Sequence, residues 1–181
     1  DAGDNGTVTF TGAVTIGKDD LTIDDSDIAV VTAGIGGSTG SVDFTTDTRT
    51  DVDGTIALTG AGTVTLDAAA ISTANITTQA GAIDFSGAVS YTDDAAVSIK
   101  SDVGGTGAGA NITFASTLGL KGDGNGDLTI DAGDNGTVTF TGAVTIGKDD
   151  LTIADSAIAV VTGGIGGSTG SVDFTTTTRT D

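Results

Sequence analysis

Residues 131–181 repeat residues 1–51 at every position but four. Asp24, Asp27, Ala33 and Asp47 give way to Ala154, Ala157, Gly163 and Thr177. The period is 130 residues in a chain of 181, so the text holds one full unit, 1–130, and the start of the next, 131–181. A closed globular core gains nothing from copying part of itself nearly verbatim. A stacked unit whose open face is buried by its neighbour does gain. The repeat therefore predicts one continuous structure over 1–181.

Composition decides what the stacked unit is made of. The chain has no Pro, Cys, Met, Trp or His, it has 30 Gly, and all 25 acidic residues are Asp. Good helix formers such as Glu and Met are missing, while Val, Ile and Thr, which suit pleated surfaces, are abundant. With 37% hydrophobic and 17% charged residues, the chain carries enough apolar surface to fold. A formal charge of -19 repels phosphate backbones and anionic lipid surfaces, which argues against nucleic-acid and membrane partners. No run reaches the roughly 20 apolar residues of a membrane span.

A finer rhythm runs through the 130-residue unit. Each of the six Phe ends an apolar-x-Phe phrase: "VTF" at Val8, "VDF" at Val42, "IDF" at Ile83, "ITF" at Ile112, and again at Val138 and Val172, with "VTL" at Val64 in the same style. Period-two alternation points Val and Phe one way and Thr or Asp the other. Two further apolar pairs follow in three of the phrases, for example Val14 with Ile16 and then Leu21 with Ile23. Three short strands per coil, separated by Gly- and Asp-rich turns, describe an all-β, right-handed parallel β-helix (β-solenoid) of about seven coils. The "VDF" and "VTL" coils show only two clear strands. Val8, Phe10, Val42, Phe44, Leu66, Phe85, Phe114, Phe140 and Phe174 are expected in one stack. The two copies are expected to superpose after a shift of five strand spacings, which is about 24 Å, and a small rotation. The rival fold is a β-sandwich of hairpins built on the Asn-Gly and Asp-Gly dipeptides; it gives no reason for the chain to restart on the same frame.

The phrases "GTVTFTGAVTIG", "GNGDLTIDAG" and "ANITFAS" resemble those of the very long bacterial β-strand-repeat surface proteins, similar in style to filamentous-haemagglutinin-like giant adhesins with β-solenoid passenger regions. The resemblance runs over the whole chain and transfers no functional residue. It implies secretion to the bacterial cell surface and an extracellular rod: a structural spacer or shaft of an adhesin or filament. The alternative it carries is a ligand- or glycan-binding adhesive module using a repeated solenoid face. The expected partners are neighbouring repeats of the same chain or further copies end to end. Sequence before Asp1 is expected to resemble "NITFASTLGLKGDGNGDLTI", and sequence after Asp181 to resemble "VDGTIALTGAGTVTLDAAA".

The strongest polar cluster is "GDGNGDLTIDAGDNG", residues 122–136. Asp123, Asn125, Asp127, Asp131 and Asp134 place oxygens at short intervals on a Gly-rich loop, as a calcium ion with six to eight oxygen ligands requires. The phrase lacks the Gly and closing Glu of an EF-hand loop, and the competing reading is a solvated turn. Asp19, Asp20, Asp93, Asp94 and Asp127 all precede a third strand and are expected along one edge of the stack, where carboxylates about 5 Å apart repel by about 1 kcal/mol even in water. Asp24, Asp27 and Asp47 are absent from the second copy, so they are not ligands required in every unit. Asp pairs alone meet the carboxylate requirement of glycoside hydrolysis. With no His, no Trp, one Tyr and no basic cluster, the expectation is that the chain is not an enzyme.

Overall fold

The computed structural model describes residues 1–91, 95–103, 109–167 and 169–180. Among them every element is a strand, and every strand pairing is parallel. The chain is a β-solenoid of about eight turns, and three columns of paired residues define its three faces. On the first face Val8, Ala29, Thr50, Ile71, Val89, Leu118, Val144 and Ile165 lie one above the other. The second face stacks Val14, Ile35, Ile56, Ile76, Ile99, Ile130, Ile153 and Phe174. The third stacks Leu21, Val42, Val64, Ile83, Ile112, Val138, Ala159 and Thr180.

Residue numbers on the first face give the length of each coil. The steps are 21, 21, 21, 18, 29, 26 and 21 residues from Val8 to Ile165. Three faces with two inward side chains each need little more than twenty residues per turn, and the 26-residue coil carries its surplus in the corner loop at 122–126. Some corners are not loops at all. The strands Leu21–Val31, Val42–Val52 and Leu151–Val161 each cover two faces in one run. Register slips on either side of Ser26 mark the bend, and Ser26, Thr46 and Ser156 are buried in the bent strands. The fused strand Val42–Val52 hides one side of the "VDF" coil, while the "VTL" coil has its three sides as the separate strands Val64–Asp67, Ala70–Thr73 and Ile76–Thr77.

The apolar-x-Phe frame marks a strand without saying which face the strand belongs to. Phe44, Leu66, Phe85, Phe114 and Phe140 do form one column, with ring centroids 4.7 Å apart for Phe85 and Phe114 and 5.1 Å apart for Phe114 and Phe140. Phe10 pairs with Val31 on the first face instead, and Phe174 pairs with Ile153 on the second. From Phe10 to Phe44, and again from Phe140 to Phe174, the chain passes through more than one coil, which is why the turns number about eight rather than seven.

The two copies keep the same local pairing. Val8 pairs with Ala29 and Val138 with Ala159; Val14 with Ile35 and Val144 with Ile165; Leu21 with Val42 and Leu151 with Val172. Their faces differ, however. Val8 lies on the first face and Val138 on the third, Val14 on the second and Val144 on the first, Leu21 on the third and Leu151 on the second. One period therefore advances about five and two-thirds turns, or roughly 27 Å at the parallel strand spacing. The expected whole-coil shift is replaced by a shift plus about two-thirds of a turn.

Identical side chains thus sit in two environments. Val8, Phe10, Val14, Ile16 and Leu21 are half-buried in the first coil. Val138, Phe140, Val144, Ile146 and Leu151, covered by the coil beneath them, are at most 2% exposed.

Candidate functional site

The Gly-rich loop at 122–126 and the acidic corners are the polar features that the sequence singles out. In the loop, Gly122 and Gly124 have φ of +79° and +97°, a backbone that L side chains adopt only with strain. This conformation turns alternate N–H groups toward one point. The N–H groups of Gly122, Gly124 and Gly126 donate to the carboxylate of Asp149 at 2.5, 2.7 and 3.3 Å. The loop is a nest around an anion, and the anion is the protein's own. Asp149 comes from the next coil and is 0% exposed. Burial alone would push its carboxyl up; the three N–H bonds outweigh burial and the charge of Asp123, and hold it below the usual range.

Three of the remaining candidate ligands, Asp123, Asp127 and Asp131, also have protein partners. Asp123 lies 3.0 Å from the Lys121 ammonium and accepts from the Asn125 N–H. Asp127 accepts from the Asp150 N–H at 2.9 Å. Asp131 lies 3.8 Å from Lys100 and accepts from the Gly133 N–H. Asp134 is near Asp155 and raises its carboxyl. Among the described residues, no three carboxylates form a group able to hold a metal ion.

The expected single edge of carboxylates divides into two. Asp20 precedes the third-face residue Leu21, whereas Asp127 precedes Leu128 on the second face. Asp93 and Asp94 lie outside the described residues. Asp20 and Asp127 act as acceptors for the coil above, Asp20 taking the Ser41 N–H at 2.8 Å and Asp127 the Asp150 N–H at 2.9 Å, and Asp150, the second copy of Asp20, takes the Ser171 N–H at 2.7 Å. Asn75 and Asn111 do the same for Ser98 and Thr137. These side chains meet backbone donors that a corner leaves without a ladder partner.

No protein-family model, no curated protein and no solved structure matches this chain.

One acidic corner is under charge stress in each copy. In the first, a hydrogen bond with the Asp4 carboxyl raises Asp25, followed by the charge of Asp4, burial, and the charges of Asp24 and Asp47. In the second, burial raises Asp155, followed by the charges of Asp134, Asp131 and Asp102. The three acidic residues that differ between copies, Asp24, Asp27 and Asp47, all belong to this corner, where Thr48 donates a short hydrogen bond to Asp27. The second copy thus sheds three of these carboxylates by substitution, while Asp155 remains raised by the others. Combining Asp24→Ala, Asp27→Ala and Asp47→Thr is expected to raise the melting temperature at neutral pH and low salt, with the gain shrinking at high salt. A raised carboxyl binds its proton more readily when folded, so this stress is also relieved as pH falls from neutral through the raised pKa. Wild-type stability should therefore improve on mild acidification, and the triple variant should improve less. A lower melting temperature for the variant at neutral pH and low salt would contradict the reading.

Sequence reasoning marked the loop but missed Asp149, whose earlier copy is Asp19 in "GKDD". The available signal was glycine at alternate positions in "GDGNG", a pattern that suits backbone N–H groups converging on an anion better than side chains converging on a cation.

Proposed function

We propose that this chain is a shaft segment of a long extracellular repetitive protein on a bacterial surface, a spacer that sets length within an adhesin or filament. The observation that supports it is the strand Leu128–Phe140, which runs across the junction between the first unit and the second without a linker. Each unit ends as an open set of strands, and the next unit begins as the coil that covers it. Length then grows with copy number, which suits a spacer. A site that must occur once has no need of such a period.

Tandem chains with one, two and three further copies of residues 1–130 test the reading by small-angle scattering and electron microscopy. The rod should lengthen by about 27 Å per copy at constant cross-section. Copies that pack side by side, or that thicken the particle, would refute it.

A further inference from the structure

Where the coil length changes most abruptly, from 18 residues between Ile71 and Val89 to 29 between Val89 and Leu118, successive corners no longer stack flush. Coil four turns its corner within Thr73, Ala74 and Asn75, and the neighbouring coil contributes Tyr91, Ala95, Ala96 and Val97 beside it. The mismatch leaves a recess of about 160 Å³ walled by Asp53, Ser72, Thr73, Ala74, Asn75 and Tyr91, among others. Tyr91 is only 5% exposed, and its hydroxyl is buried without a hydrogen-bond partner. A second recess, of about 350 Å³, shares Asp53 and Ser72 and is bordered by Arg49 and Asp51, which pair at 3.7 Å.

The wall chemistry selects the ligand. Asp53 offers a carboxylate acceptor. Thr73 spends its proton on the Ala74 carbonyl at 3.2 Å and keeps acceptor capacity. Asn75 uses its oxygen on the Ser98 N–H at 2.8 Å and keeps two amide donors. Ser72 can donate or accept. The first recess has no Lys or Arg in its wall, which disfavours phosphate and carboxylate ligands. Alternating donors and acceptors beside Ala and Val side chains match a molecule with several hydroxyls and an apolar ring face. At about 30 Å³ per water, the space equals that of about five waters, enough for a small polyol or one sugar residue, with the outer recess left for whatever is attached.

We propose that this recess binds a neutral, hydroxylated small ligand, a single sugar residue or polyol. The inference is independent of the shaft reading, since a rod whose recess holds only water would still lengthen with copy number.

One Tyr and no Trp make the emission of the intact chain a direct report on the recess wall. The titrants are glycerol and the methyl glycosides of glucose, galactose and mannose, with glucuronate and inorganic phosphate as charged comparisons; ligand-observed NMR provides a second readout. A saturable response to at least one neutral probe is expected, weakened about tenfold or more by Ser72→Val, which removes a hydroxyl. Ala74→Leu, which fills the space, should abolish it, so the test survives if one variant folds poorly. Absence of saturable binding by either readout would overturn the proposal, as would preference for a charged probe or unchanged binding in both variants.

Discussion

Replacing Phe114 by Ala is expected to lower the unfolding free energy by about 3–5 kcal/mol, the loss typical of deleting a fully buried aromatic ring that leaves a cavity. Phe114 is 0% exposed and lies between the rings of Phe85 and Phe140. Its removal therefore breaks two stacked pairs as well as burial, and collapse is restrained because the strands on both sides are fixed in register. The repeat supplies an internal comparison. Phe10 and Phe140 occupy equivalent positions, yet Phe10 is half-buried and Phe140 is 0% exposed. Phe140→Ala should cost clearly more than Phe10→Ala in denaturant unfolding, and equal losses would mean that coverage by the preceding coil contributes nothing. Because coils interact mainly with their neighbours, the Phe114 variant should also broaden the transition if the two halves begin to unfold separately.

Asp149→Ala is expected to cost about 3–5 kcal/mol, since three N–H groups lose an ionised acceptor at once and bonds to charged groups are worth about 1.5–3 kcal/mol each, not fully additively. Asp19→Ala should cost far less, because Asp19 is exposed. The pH dependence has a definite sign. A carboxyl held below its usual range is ionised in the folded state, so its contribution is fully present above the ordinary carboxylate range and is lost as pH falls through the lowered pKa. The acid limb of the stability profile should be shallower in Asp149→Ala than in the wild type. An Asp149 variant that unfolds like the wild type at neutral pH would remove the nest from the account of how coils six and seven are held together.

What could be read from the letters was periodicity. The restart at Val42, Val64, Ile83, Ile112 and Val138 is visible because each inward position must be apolar and each outward one need not be. The face could not be read, because all three faces impose the same alternation. Only the number of strands between two phrases fixes it, and a bend such as the one at Ser26 conceals a strand boundary by using Ser and Asp where a Gly turn would announce one. The loop at 122–126 was legible as polar and permissive. Its occupant was not, because Asp149 follows Gly122 by a whole coil, a distance at which sequence spacing carries no geometric information until the coil length is known.

The fractional number of turns per period has a directional consequence. Seventeen faces make one period, and seventeen is not divisible by three, so identical text cannot look out on the same side twice in succession. In any chain that continues the pattern, each copy is turned by a third of a revolution relative to the last, and the original heading returns only with the fourth. The recess beside Tyr91 and the charged corner at Asp25 would be arranged as steps of a spiral stair. A period of whole turns would give the rod a front and a back, with every copy of a feature in a single row. This period gives it neither: the same features look out along three bearings a third of a revolution apart, and along each bearing they recur at intervals of three copies.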